Sequence, residues 1–380
     1  MAINESNLNS KIWLSPPHMS GYEQEFISEA FKLNWIAPLG PNVNGFEKDI
    51  ELYLDHKKHV AVLSSGTAAL HLALIQLGVT RDDEVICQTK TFVASVNPVL
   101  YLGAKPIFVD SEDETWNMCP VLLEETIKVR INKGNKPKAI IVINLYGMPY
   151  NVRKIHAISE KYNIPVVEDS AEAFGSHVNG QKCGTFGDFS ILSFNGNKII
   201  TTSGGGALIC NSLALKQKTI FLATQAKEPG FEYEHNSIGY NYRMSNIIAG
   251  IGRGQMKVLD DYVEKRRSNY DYYHDKLSSC DAITFIEEPQ GYHSNRWLTC
   301  ILLDSKAMRD NLLKLLNENN IEARPSWKPM HLQGLYKEAP AYLNGVSIKL
   351  YEKGLCLPSG SNLKEKDLDR VIKLITSYFE

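Results

Sequence analysis

The 380-residue sequence has no C-x-x-C pair, no apolar run long enough to span a membrane, and no excess of basic charge. Its seven cysteines (Cys87, Cys119, Cys183, Cys210, Cys280, Cys300 and Cys356) are scattered and odd in number. That pattern speaks against a disulfide framework or a zinc site and for reduced thiols, so no metal centre is expected. A net charge of −2, with lysines and glutamates interspersed, leaves no electrostatic footprint for nucleic acid. The opening MAINESNLNSKIWLSPP lacks the apolar core of a secretory signal, and nothing approaches the roughly 18 apolar residues of a transmembrane helix. A cytoplasmic protein with no membrane partner is expected. Internal repeats and low-complexity tracts are also missing.

What is present is an ordinary globular composition, 43% apolar and 22% charged, in a chain long enough for two lobes. From about residue 60 to 210, short strands that are apolar throughout alternate with helical patterns. The strand runs are VAVLSS (60–65), EVICQ (84–88), PIFVDS (106–111), AIIVINLYG (139–147) and IPVVEDS (164–170). This predicts an α/β fold with a mostly parallel sheet covered by helices on both faces. ILSF and ALIC close that lobe, and 212–255 reads as a loop-rich connection. The periodic run KVLDDYVEKRRSNYDYYHDKLSS then opens a smaller α/β unit, placing the boundary near residue 256: a large domain over 1–255, including the N-terminal segment, and a small one over 256–380. Asn362, with Glu365 three residues on, is the expected cap of the last helix.

The stretch SILSFNGNKIITTSGGGALIC (190–210) sets a single lysine, Lys198, between apolar strand-like segments, with small residues on either side. A lysine that forms a Schiff base needs such rigid, partly shielded surroundings, whereas a solvated surface lysine does not. Ligands of open parallel sheets bind at the carboxyl ends of the strands, and two further features lie there. Ser64-Ser65-Gly66-Thr67 is a strand-to-helix turn that serves either as a plain helix cap or as a phosphate site. Glu168-Asp169 ends an apolar strand, and its carboxylates either cap the next segment or pair with a cation such as a protonated pyridine nitrogen.

In this order along the chain, these features resemble the DegT/DnrJ/EryC1/StrS sugar aminotransferases, which have the type I pyridoxal phosphate (PLP) fold. The resemblance spans essentially the whole chain, through NWIAPLGPNVNGFE (34–47), LSSGTAALHLAL (63–74), TKTFVAS (89–95), LYGMP (145–149), VVEDSAEAFGS (166–176), GTFGDFSILSFNGNKIITTSGGG (184–206), GYNYRMSN (239–246) and RPSWKPMHLQ (324–333). It implies a large domain with a seven-stranded type of sheet, PLP as cofactor, and a homodimer with a shared active site. Lys198 would hold PLP as a Schiff base and shuttle the proton. Asp169 would pair with the ring nitrogen, Gly66, Thr67 and Ser193 would bind the phosphate, and Phe92 would stack on the ring. Asn241 would reach the cofactor phosphate of the partner subunit.

Residue 172 departs from the family's commoner pattern: it is Glu where Gln or His often meets the phenolic oxygen of PLP. A carboxylate there has to protonate, turn away or meet a cation. For the substrate, the resemblance points to Trp35, Lys328 and His331 as lining a sugar-nucleotide pocket, with glutamate as amino donor. NGNKIITTSGGG looks most like enzymes that make UDP-linked 4-amino-4,6-dideoxy-N-acetylhexosamines, the bacillosamine type. GDP- or dTDP-linked 4-keto-6-deoxy sugars and 3-keto sugars stay open as acceptors. A PLP-dependent sugar dehydratase, whose relatives typically carry His in place of the lysine, and a non-catalytic binding protein are the rival readings.

Overall fold

The computed structural model describes residues 10–56 and 58–380. Seven strands, His59–Leu63 (β1), Glu84–Gln88 (β2), Lys105–Val109 (β3), Ala139–Ile143 (β4), Val166–Asp169 (β5), Phe189–Ser193 (β6) and Gly206–Cys210 (β7), form the large sheet in the order 3-2-4-5-6-7-1. Only β7 runs antiparallel to its neighbours, β1 and β6; the other pairs are parallel. The strands read as continuous apolar runs because helices cover both faces, so residues of either parity are buried. An eighth strand, Ala341–Tyr342, joins the edge in parallel beside β3. It comes from the C-terminal part of the chain, so the two lobes share a sheet edge.

The second unit is built on a four-stranded antiparallel sheet of Ile283–Phe285, Thr299–Leu303, Gly354–Leu357 and Arg324–Pro325. Helices Leu259–Leu277, Lys306–Glu318 and Glu365–Phe379 pack on it through Tyr273, Leu312, Leu316, Val371 and Ile375. Ile12 belongs to this same core, and its backbone exchanges hydrogen bonds with Asn320 and Glu322. The start of the described chain, counted with the large lobe from sequence, therefore docks on the small one.

Two local expectations are corrected. The region 212–255 is loop only in part: 224–245 is irregular, but helices Leu213–Ala223 and Asn246–Met256 flank it, with Ser212 and Ser245 accepting the first free N–H groups. The glycines that make NIIAGIGRGQM look irregular are packing devices. A Cβ on Gly252 would stand 2.5 Å from the Phe46 ring, and one on Gly254 would stand 2.6 Å from the Glu23 backbone nitrogen. Close approach of helices Glu23–Lys32 and Pro41–Tyr53 thus outweighs the helix-propensity cost of glycine, about 1 kcal/mol each. At the C-terminus, Asn362 does not cap the last helix. The helix starts at Glu365, and the Asp367 carboxylate reaches back to the Lys364 N–H at 3.0 Å.

Candidate active site

Strand alternation separates two adjacent carboxylates at the end of β5. Glu168 is fully buried and accepts hydrogen bonds from the backbone N–H groups of Gly184 (2.7 Å), Phe186 (2.9 Å) and Gly187 (3.3 Å). Side chains of Asn144, Ser170 and Ser190 also donate to it, so this residue organises the loop before β6. Asp169 turns instead toward a cavity of about 250 Å³ at the carboxyl ends of the strands. The Ser95 hydroxyl donates to its Oδ2 at 2.6 Å and the Ala171 N–H to its Oδ1 at 3.0 Å. Burial holds its carboxyl above the usual carboxylate range, against the pull of these two bonds and of the Lys198 charge.

Lys198 lies in the turn between β6 and β7. Phe194, Ile199 and Ile200 anchor that turn in the core, leaving the lysine side chain directed at the cavity. Its Nζ sits 3.5 Å from Glu172 Oε1 and 4.3 Å from the centre of the Trp297 ring. Glu172 Oε2 accepts the backbone N–H of Tyr146 at 2.7 Å. Burial raises the Glu172 carboxyl, and Lys198 and the Tyr146 N–H oppose that rise. The carboxylate at position 172 therefore neither turns away nor stands alone: its cation is Lys198. Tyr146 is held in a left-handed conformation (φ 55°) with its ring stacked between Trp297 and Trp327. The Asn197 carbonyl, one residue before the lysine, accepts both the Trp297 Nε1–H and the Ser15 hydroxyl at 2.7 Å.

The opposite end of the cavity suits an anion. Helix Gly66–Gln76 begins there, and the Ser65 hydroxyl accepts the Ala68 N–H at 3.0 Å. The first N–H groups of a helix, here those of Gly66 and Thr67, have no intrahelical acceptor, and the dipole adds positive potential. Ser193 lines the same cavity. Only glycine fits at 66 without displacement, since a Cβ there would stand 3.2 Å from both the Leu192 carbonyl oxygen and Ser193 Cβ.

Of the residues picked out from sequence, Gly66, Thr67, Phe92, Asp169, Glu172, Ser193 and Lys198 line this one cavity. Phe92 stands at its rim, about half exposed, 5.3 Å from the Trp327 ring. Asn241 and Trp35 lie outside it in this chain; both are exposed, with Asn241 bridged through its backbone to Thr224. Lys328 lines two neighbouring cavities. His331 bonds Thr89 Oγ1 through Nδ1 at 2.7 Å, and burial lowers its pKa. Sequence reading passed over Ser95, Tyr146, Trp297 and Trp327. Ser95 and Tyr146 sit inside quoted motifs, whereas Trp297 carried no local signal. Among the described residues, no group of three or more His, Cys, Asp or Glu is placed to hold a metal ion, and no helix is long and apolar enough to cross a membrane.

A shielded amine, a buried carboxylate on the floor and a helix end with free N–H groups fit PLP: Lys198 would face its aldehyde, Asp169 its ring nitrogen, and Gly66, Thr67 and Ser193 its phosphate. Comparison with known proteins agrees. A model of the DegT/DnrJ/EryC1/StrS aminotransferase family matches residues 17–376. The chain is 49% identical over 376 residues to the putative pyridoxal phosphate-dependent aminotransferase EpsN of Bacillus subtilis, covering 98% of this chain and 97% of that one. It is 36% identical to the GDP-perosamine synthase of Escherichia coli O157:H7 (96% and 97% covered). It is 30% identical to the UDP-4-amino-4,6-dideoxy-N-acetyl-beta-L-altrosamine transaminase of Campylobacter jejuni (90% and 90%). Among solved structures, a DegT DnrJ EryC1 StrS aminotransferase from Brucella abortus superposes with a TM-score of 0.88 at 30% identity, covering 94% of this chain and 95% of the other. The chain therefore belongs to the DegT/DnrJ/EryC1/StrS aminotransferase family and is a transaminase with pyridoxal phosphate as its cofactor.

Proposed function

We propose that this enzyme moves the amino group of glutamate to C4 of a UDP-linked 2-acetamido-2,6-dideoxy-4-keto-hexose, for glycan or polysaccharide synthesis. The observation that carries the reading is Lys198 Nζ, shielded in the cavity and paired with Glu172 at 3.5 Å. A lysine at this place supports amino transfer over dehydration, because it can exchange its covalent link for that of an incoming amine.

PLP, when bound, supplies an electron-poor ring that stabilises negative charge on the carbon losing a proton. Asp169 holds the proton on the ring nitrogen. Lys198 Nζ takes the proton from the substrate carbon and returns it to the other centre, and Glu172 Oε1 keeps the ammonium oriented between these steps. Gly66, Thr67 and Ser193 would grip the phosphate, and Trp297, backed by the stacked Tyr146 ring, covers one side of the amine. Asn241, expected to reach a partner's cofactor phosphate, is exposed and outside the cavity of its own chain, which supports a homodimer with a shared site.

Identity with the altrosamine transaminase and the phrase NGNKIITTSGGG support the UDP acceptor. A GDP-linked 4-keto-6-deoxy sugar is the second reading, favoured by the 36% identity to GDP-perosamine synthase. The deciding experiment offers UDP-, GDP- and dTDP-linked keto sugars with ¹⁵N-glutamate. Label in the UDP sugar is expected; label only in the GDP sugar selects the second reading, and loss of a hydroxyl without label sinks both. Lys198→Ala should lose the visible band of covalently held PLP and fall in turnover by on the order of 10²–10⁴-fold. Mixing Lys198→Ala and Asn241→Ala proteins should restore part of the activity if the site is shared between subunits.

A further inference from the structure

Lys90 is the one lysine among the described residues with no accessible surface, and nothing in the chemistry above uses it. It follows β2 at the carboxyl edge of the sheet, two residues before Phe92. Its Nζ donates to Ser326 Oγ and to the Trp327 carbonyl, each at 3.0 Å. Ser326 sends its own proton to the Leu350 carbonyl, so toward Lys90 it acts as acceptor. Among the described residues no carboxylate forms an ion pair with Nζ. Asp110, which acts on it from a distance, accepts the backbone N–H groups of Ser111, Asn344, Gly345 and Ser347. The other titratable groups acting on it are the Arg309 guanidinium and the buried thiols of Cys300 and Cys356. An unpaired amine is a costly way to join two lobes, where an apolar pair would serve as well or better. What an apolar pair cannot do is hold a carbonyl in place.

That carbonyl belongs to Trp327, whose N–H donates to the Tyr146 hydroxyl at 2.7 Å. Both backbone polar groups of Trp327 are thus held by the large lobe, and its indole is set 5.3 Å from Phe92. Phe92 and Trp327 line both the cofactor cavity and an adjoining cavity of about 400 Å³ bounded by Lys328, Met330 and Gln333. They form the neck between the two. The Trp327 Nε1–H is buried without a partner, a donor left for an acceptor oxygen. A 250 Å³ cavity that also receives PLP cannot enclose a nucleotide-linked sugar, so such a substrate has to extend into an adjoining cavity, and Trp327 borders both of those that reach Lys328, whereas an amino acid need not extend so far.

We propose that Lys90 is a positioning residue for the sugar half-reaction: by clamping the Trp327 peptide it sets the neck through which the nucleotide-linked sugar extends. The inference rests on the nucleotide-sugar reading above. In a ping-pong reaction, kcat/KM for each substrate reports its own half. Lys90→Met keeps the volume and removes the donors. It should lower kcat/KM for the keto sugar about tenfold while leaving kcat/KM for glutamate within about twofold. Ser326→Ala, which keeps the lysine and removes one acceptor, should act in the same direction with a smaller loss. Acrylamide quenching of tryptophan fluorescence should increase in Lys90→Met, and the increase should vanish when Trp327→Phe is added. Equal losses in both half-reactions, or unchanged quenching, overturn the proposal. If the wild type turns over none of the keto sugars, the functional reading fails, and the quenching series still decides whether Lys90 holds Trp327.

Discussion

Lys198 Nζ lies 3.5 Å from Glu172 Oε1, with both side chains almost completely buried. The pair gives the carboxylate two duties, since its other oxygen anchors the Tyr146 N–H. Glu172→Gln preserves the anchor and removes the charge. It should keep PLP bound but slow the proton-transfer steps by on the order of 10²-fold, read by rapid mixing with glutamate. Glu172→Ala also strands a buried donor and should cost a further 1–3 kcal/mol, or about that, in unfolding free energy. Wild-type rates in the glutamine variant would show that the charge does not matter.

Ser95 and Asp169 make a second testable pair. Burial already holds the Asp169 carboxyl high, and the Ser95 hydroxyl at 2.6 Å opposes this by favouring the ionised form. Removing the hydroxyl raises the carboxyl further, so the carboxylate needed for a protonated ring nitrogen forms only at higher pH. Titrations of PLP affinity against pH should show the acid limb displaced to higher pH in Ser95→Ala, with the alkaline plateau nearly unchanged. An unmoved limb would remove Ser95 from the site.

Burial lowers the Lys90 amine from 10.5 to about 7. The unfolded chain therefore binds more protons than the folded one between those values, and stability contributed at this position rises with pH across that window. The penalty is complete below about pH 7 and is lost as pH climbs toward 10. Lys90→Met should consequently unfold at a higher temperature than wild type at pH 6, with the gap closing by pH 10. Calorimetric scans of the two proteins across this range check the sign. A gap that does not change with pH would mean the amine is neutralised by some other route.

Adjacent carboxylates on β5 should respond in opposite ways to truncation. Glu168→Ala leaves several buried N–H groups around 184–187 without an acceptor and should cost about 3 kcal/mol or more of stability. Asp169→Ala takes an acceptor only from the Ser95 hydroxyl and the Ala171 N–H. Because the Ser95 hydroxyl keeps Thr91 Oγ1 as a partner, the substitution should cost about 1 kcal/mol of stability, clearly less than Glu168→Ala, while weakening PLP binding about ten- to a hundredfold. Denaturant unfolding and cofactor titration on both variants separate the roles.

How far the site could be read from residues alone varied with how local its signals are. Asp169 and the Ser65–Thr67 turn stand at strand ends and Lys198 in the turn that follows one, and apolar runs of five or so residues mark strand ends well. The helix Asn246–Met256 was hidden because glycine lowers helix propensity, while the gain from packing against Phe46 and Glu23 appears nowhere in the local sequence. The edge strand Ala341–Tyr342 was hidden for a similar reason: two residues carry no period, and their pairing depends on β3 being there. Glu172 was legible as an anomaly, but its resolution was not, since Lys198 lies 26 positions further along the chain.

Strand and helix periodicity already determined that this chain folds as an α/β protein with small residues gathered at its strand ends; the enzymatic reading and the Schiff-base role of Lys198 came from the resemblance of the surrounding motifs to a family. These are nearest-neighbour properties: pleat alternation, apolar runs and free N–H groups at a helix start all act over a handful of residues. Only the packed tertiary structure decided which groups meet Lys198 and how the cavity is walled. Glu172, Trp297 and Trp327 converge there from both lobes, with Tyr146 stacked behind the two indoles, and Lys90 holds the Trp327 carbonyl, because burying the interface between the lobes brings distant side chains within hydrogen-bond reach.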